Sequence, residues 1–318
     1  MNREVILRFE KISAKDIFIA GGKGASLGEM TRAGFPVPPG FVVLASVFDK
    51  FLADTDLDPE IEAKMHEVNY KDINSVDRAS NEIRELISDA EFPRDLGEKI
   101  LKEYSKLGAK YVAVRSSATA EDSSVASWAG ELESYLNVTK ENLLESVKKC
   151  WSSLFTPRAI FYRFEKSLHK KPVSVAVVVQ KMIQSEVSGI CFTVHPVTKD
   201  KGQMVIEAGY GLGEAIVGGK ITPDTYIIHK YTQGKPTTIL DKNISRQETM
   251  IIRNTKGTKE VPVPKAKQGK QKLTDKQVLA LADICMKIEN HCKYPQDIEW
   301  GFENSQFYIL QARPITTL

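Results

Sequence analysis

Cysteine is scarce in this sequence, with four residues in 318, and none of Cys150, Cys191, Cys285 and Cys292 forms a CxxC pair. That excludes a disulfide scaffold and a cysteine-based zinc site, and it fits core thiols in a reducing compartment. No membrane span is legible either. The most apolar run, residues 173–179, is only strand-sized and contains Ser174. The opening Met1-Asn2-Arg3-Glu4-Val5-Ile6-Leu7-Arg8-Phe9 is too short and too charged for a signal peptide, so a cytoplasmic location is expected. Charge of one sign is also missing. Lys plus Arg number 44 against 41 Asp plus Glu, a net +3, which gives no concentrated basic face for nucleic acid. Seven cations between Arg253 and Lys272 stand against a single Glu260, but Pro262 and Pro264 punctuate the stretch, which reads as a solvated connector.

Several catalytic signatures are absent as well. There is no HExxH and no Walker GxxxxGK[ST]. His66, His169, His195, His229 and His291 are not spaced as a metal pair, and His195, before Pro196, reads as structural or surface.

What is present is an ordinary globular composition, 42% apolar with 20 glycines. A chain of this length buries about three quarters of its unfolded surface, as one unit or as two to three subdomains. Residues 5–9 predict a short strand, followed by Gly21-Gly22-Lys23-Gly24, with a helix beginning near the end of that cluster and stopping at Gly34. Residues 41–44 predict a strand, and helical spacing recurs at 45–53, 58–69, 75–88 and 94–106. A strand over 111–114 delivers Arg115-Ser116-Ser117 at its end, and the small, polar stretch 118–130 suits a movable surface loop. A strand over 135–138 and a helix over 140–155 follow. Residues 173–182 and 189–193 resemble paired strands of one buried sheet, and 204–208 adds another before a glycine-rich run.

Near the end, Thr274 with Gln277 is a capping box for a helix over 274–289. Segments 296–300 and 306–313 alternate at period two around a short turn, which predicts a β-hairpin with Glu299 across from Gln311.

Four groups could carry chemistry. Glycines around Lys23 let backbone N–H groups approach an anion while the ammonium neutralises its charge, although an ordinary turn would use the same residues. Arg115 could hold a phosphate bidentately or serve a surface ion pair. Asp297 and Glu299, two apart on a strand, point to one face, and hard Mg²⁺ with oxygen ligands would relieve their repulsion. Gln311 would add a neutral oxygen, and Arg313 a charge for a phosphoryl group. Gln180, Met182 and Glu207 stand at strand ends suited to an adenine amino group or ribose hydroxyls, or to plain packing.

Taken together, Gly21-to-Met30 (GGKGASLGEM), VPPGF from Val37, VRSSA from Val114, VSGICFT from Val187, GLGE from Gly211, DIEW from Asp297 and QARPIT from Gln311 resemble the N-terminal nucleotide-binding domain of the phosphoenolpyruvate synthase and pyruvate phosphate dikinase family. The resemblance runs in family order over the whole chain, 1–318. It implies an α+β, ATP-grasp fold whose subdomains (approximately 1–110, 111–200 and 201–318) clasp a nucleotide between them. It implies ATP and Mg²⁺ as cofactors, with Lys23, Arg115 and Arg313 on the phosphates and in transfer. Gly130 and Ser134 would lie where a lid meets ATP, with Gln180, Met182 and Glu207 around the adenosine. Glu299 and Gln311 would be metal ligands, with Asp297 beside them.

The resemblance further implies that the diphosphate or phosphate passes to a histidine on a separate domain, as the first half-reaction of phosphoenolpyruvate synthesis from pyruvate. The partners implied are a phosphohistidine domain and a phosphoenolpyruvate/pyruvate-binding domain, with no nucleic acid and no membrane. No family-type phosphohistidine motif occurs before Leu318, so a domain of a longer enzyme or a split subunit is expected. A rifamycin-type antibiotic dikinase and a non-catalytic nucleotide-binding module remain alternatives.

Overall fold

The computed structural model describes residues 4–119, 133–166, 173–230, 236–254 and 257–316. The chain divides into two compact units, one made of Met1–Arg32 and Pro39–Met182, the other of Ala33–Pro38 and Ile183–Leu318. The boundaries expected from sequence stood at 110 and 200; the two units meet in the chain at 182/183.

The first unit contains β1 (Ile6–Arg8), α1 (Ile17–Arg32), β2 (Gly40–Val43), α2 (Ala45–Asp54), α3 (Asp58–His66), α4 (Ile73–Asp89), α5 (Arg94–Leu107), β3 (Val112–Ala118), β4 (Ser134–Val138), α6 (Leu143–Ser152), α7 (Pro157–Glu165) and β5 (Val175–Lys181). Its sheet is antiparallel in the order β1-β2-β5-β3-β4. Alternation gives the two faces different work. Phe41, Val43, Val112, Val114, Val175, Val177 and Val179 point into a core shared with the helices. Within that core Trp151 is fully buried, its ring 4.9 Å from Phe51 and 5.4 Å from Phe92. Burial of such a side chain contributes about 1.5–3 kcal/mol, so this face anchors the sheet to the helices, while α1 packs on the opposite face over Val42.

The second unit contains β6 (Val187–Phe192), β7 (Gln203–Tyr210), α8 (Glu214–Val217), β8 (Asp224–His229), β9 (Thr238–Asn243), β10 (Thr249–Asn254), β11 (Gly257–Pro262), α9 (Asp275–Cys292), β12 (Gln296–Glu303) and β13 (Gln306–Pro314). Six strands form one antiparallel sheet, β13-β12-β6-β7-β8-β9, and β10-β11 is a separate hairpin. The back face of the large sheet buries Ile298, Trp300, Cys191, Ile206 and Tyr226, and α9 packs against β7, β9 and β12. Thr274 and Gln277 close the expected capping box at the start of α9.

Three expectations change. Helix α1 is already helical from Ile17 and is interrupted at Gly21, where φ is 68° and ψ 172°, so the glycine cluster breaks a helix instead of preceding one. Strands β5 and β6 are not paired; β5 lies between β2 and β3, and β6 between β12 and β7, in different sheets. The basic stretch is more than a connector. It takes in the end of β10 and all of β11, and the Lys272 side chain is fully buried on Asp224 with Nζ 2.6 Å from the carboxylate. None of the helices among the described residues is long and apolar enough to cross a membrane.

Candidate functional site

Sequence reasoning placed the polar groups on two sets of elements, and each unit carries one set on a single face of its sheet.

In the first unit, Arg115 lies within β3 and not at its end, because the strand continues to Ala118. It pairs in register with Ser134 on β4 and Val178 on β5, while Ala113 pairs with Gln180, and Gln180 with Gly40. Arg115, Ser134 and Gln180 therefore share the face opposite the core. The glycine loop lies over the same face. A Cβ at Gly24 would stand 3.1 Å from Val42, and one at Gly21 would stand 2.2 Å from the Ser117 hydroxyl oxygen. Lys23 is half-buried in that loop. Met182 follows β5, its N–H donating to Tyr111 O at 3.0 Å. Gly130 lies outside the described residues, as does most of the 118–130 segment.

In the second unit, the hairpin forms as expected, with Glu299 directly across from Gln311 and Asp297 across from Arg313. A bulge after Glu299 shifts the register, so that Trp300 pairs with Ile309 and both return to the core. The Glu299 row continues through Ile190 to Glu207 and on to Thr225 and Asn243. Glu207 is thus mid-strand, and it shares a face with Glu299, Gln311 and Asp297.

Three carboxylates on one partly dry face are electrostatically costly. Burial pushes the Asp297 carboxyl above its ordinary range; Arg313 pulls it back in part and Glu299 adds repulsion. Burial also pushes Glu207 up, with Asp297 as the charge that adds to it. Arg313 donates from Nε at 2.9 Å and from Nη2 at 2.7 Å to one Asp297 oxygen. Among the described residues no cluster of three His, Cys, Asp or Glu side chains forms a self-sufficient metal cage. A hard cation taking one carboxylate and one amide oxygen from Glu299 and Gln311, and the rest of its shell from phosphate and water, suits this donor set.

The structural reading of His195 agrees with its contacts. His195 follows β6, and its Nδ1 accepts from the N–H groups of Val197 and Thr198 at 3.3 and 3.2 Å, a turn-capping use. Ser117 was missed as an individual residue; its hydroxyl bonds both Ala20 and Gly24 in the glycine loop, a contact across 97 and 93 positions that no local pattern signals.

The family described as "Pyruvate phosphate dikinase, AMP/ATP-binding domain" matches residues 17–318. The chain belongs to this family. It is 47% identical over 317 residues to a "Probable phosphoenolpyruvate synthase" of Methanocaldococcus jannaschii, covering 97% of this chain and 26% of that protein. It is 43% identical over 317 residues to a "Probable phosphoenolpyruvate synthase" of Methanothermobacter thermautotrophicus, covering 98% of this chain and 46% of the relative. A "Phosphoenolpyruvate synthase" of Pyrococcus furiosus is 38% identical over 358 residues, with 98% and 43% covered. The chain thus spans between about a quarter and a half of the length of these relatives. Membership makes this a nucleotide-binding domain of the pyruvate phosphate dikinase type.

Proposed function

We propose that the chain binds Mg·ATP in an ATP-grasp manner and donates the nucleotide's diphosphate or phosphate to a histidine on a separate domain or subunit, as the first half-reaction of phosphoenolpyruvate synthesis from pyruvate. The observation that carries this reading is the register of the second unit's sheet, which lines up Gln311, Glu299 and Glu207 on one face with Asp297 and Arg313 beside them. The relatives' printed names supply the reaction.

On this reading each unit contributes its polar face to nucleotide binding. Lys23, from the glycine loop, and Arg115, from β3, neutralise phosphate oxygens, with Ser134 alongside. Gln180, Met182 and Glu207 meet the adenosine. Asp297 aims Arg313, and Arg313 takes the phosphoryl charge. Glu299 and Gln311 would hold Mg²⁺, which would supply positive charge to offset that of the phosphates. Fixed donors and cations aimed at the transferring group supply most of the rate gain in such chemistry, since the protein has little covalent work to do. The acceptor imidazole and the pyruvate site belong to the partner domains.

The test is transfer itself. The full chain, mixed with the histidine-bearing remainder of a relative and β-³²P-labelled ATP, is expected to yield acid-labile label on that remainder in a Mg²⁺-dependent way. No label with a remainder that is competent with its own nucleotide domain would contradict the proposal.

A further inference from the structure

We infer that Ser117 is a positioning residue whose hydroxyl opens the Lys23 loop by standing in for a missing helical hydrogen bond; this rests on the nucleotide reading above. In an uninterrupted α-helix the Gly24 N–H would donate to the Ala20 carbonyl, four residues back. The turn of φ to 68° at Gly21 separates those two groups. The Ser117 hydroxyl sits between them, accepting from Gly24 N at 3.2 Å and donating to Ala20 O at 3.0 Å. One O–H donor and a lone pair meet both needs at once, so a single side chain repairs the ladder it has been inserted into.

The fit leaves no slack. Ser117 is fully buried. A Cβ at position 21 would fall 2.2 Å from its hydroxyl oxygen and 2.3 Å from its backbone carbonyl oxygen. Only glycine meets both the backbone angle and the space. Ser117 also lies two residues beyond Arg115 on β3, on the same face, so one strand presents Arg115 and sets the shape of the loop that presents Lys23. Without the hydroxyl, Ala20 O and Gly24 N–H would face each other without a mediator. They would relieve that by bonding directly, which straightens α1 and withdraws the loop from the phosphates.

The experiment compares the wild-type full chain with Ser117→Ala, Ser117→Cys and Ser116→Ala, by calorimetric titration with ATP and with adenosine. Ser116 is the control. Its buried hydroxyl contacts Glu133 O, Cys150 O and Ser153 on the opposite face, away from the loop. Ser117→Ala is expected to lose about tenfold or more in ATP affinity, a difference of about 1.4 kcal/mol, with adenosine affinity held within about twofold. Ser117→Cys fills the same space with a weaker hydrogen-bonding group and is expected to fall between the two, which keeps the test open if the alanine variant does not fold. Ser116→Ala is expected to keep the ATP-to-adenosine ratio. An unchanged ratio in a folded Ser117 variant, or an equal change in the Ser116 control, would overturn the role of Ser117. Failure of the wild-type chain to bind ATP would overturn the nucleotide reading instead.

Discussion

Arg313 aims two of its donors, Nε and Nη2, at the same oxygen of Asp297, across the β12–β13 pair. The half-exposed guanidinium is thereby held at the edge of the Glu299–Gln311 row, and in the proposed site Asp297 would act through Arg313. Replacing Asp297 with Asn keeps the shape and removes the charge. Charge-assisted bonds are worth about 1.5–3 kcal/mol when buried and less at this exposure, so Asp297→Asn should weaken ATP binding by about tenfold. Calorimetric titration measures it, and wild-type affinity in the variant would refute the orienting role.

Glu207 gives a pH prediction with a definite sign. Its folded pKa is raised, by burial first and by Asp297 second. The folded state therefore holds the proton more tightly than the unfolded state does, and stability falls as pH rises through the window just above the ordinary carboxylate range. Glu207→Gln should make the nucleotide-free chain more stable than wild type at neutral pH, with the gain vanishing below the unfolded carboxylate pKa. Urea unfolding of both proteins across pH checks this, and a gain that persists in acid would contradict it.

Backbone approach sets a third outcome. A Cβ at Gly189 would lie 1.8 Å from the Glu207 carbonyl oxygen and 2.7 Å from the Trp300 ring, on the strand between the two halves of the polar row. Overpacking against backbone cannot be relieved by a rotamer change. Gly189→Ala should cost at least about 3 kcal/mol in urea unfolding; a loss below about 1 kcal/mol would show that β6 and β7 are not so closely paired.

The buried ion pair of Lys272 with Asp224 gives the fourth. Asp224 also accepts from Ser245 N at 3.0 Å, from Lys272 N at 2.9 Å and from the Tyr226 hydroxyl at 3.0 Å, which ties the 245–272 stretch to β8. Removing one partner strands the other charge, so Asp224→Ala should lose about 3–5 kcal/mol of stability. The double variant Asp224→Leu, Lys272→Met should be less damaged than the single one. Equal damage in both, read by urea midpoints, would argue against a stranded charge as the cause.

These residues also show what a sequence can disclose. The Glu299–Gln311 register was legible because period two, a polar turn and a short loop leave a hairpin few ways to pair. The capping box at Thr274 was legible for the same reason of locality. The separation of β5 from β6 was not, since two apolar runs in sequence carry no statement of which sheet each joins. Lys272 read as one more solvated cation because Asp224 is 48 residues away. The helical break at Gly21 was visible only as a glycine cluster. What sustains it, the Ser117 hydroxyl, comes from another strand.

The central claim is that Lys23 in the first unit and Glu299 in the second each contribute to binding Mg·ATP. Isothermal titration of the full chain with ATP, with and without Mg²⁺, tests it most directly when run beside Lys23→Ala and Glu299→Ala. Each variant should remain folded and lose about tenfold or more in Mg·ATP affinity, with Glu299→Ala also losing most of the Mg²⁺ dependence. Wild-type affinity and Mg²⁺ dependence in both variants would contradict the account.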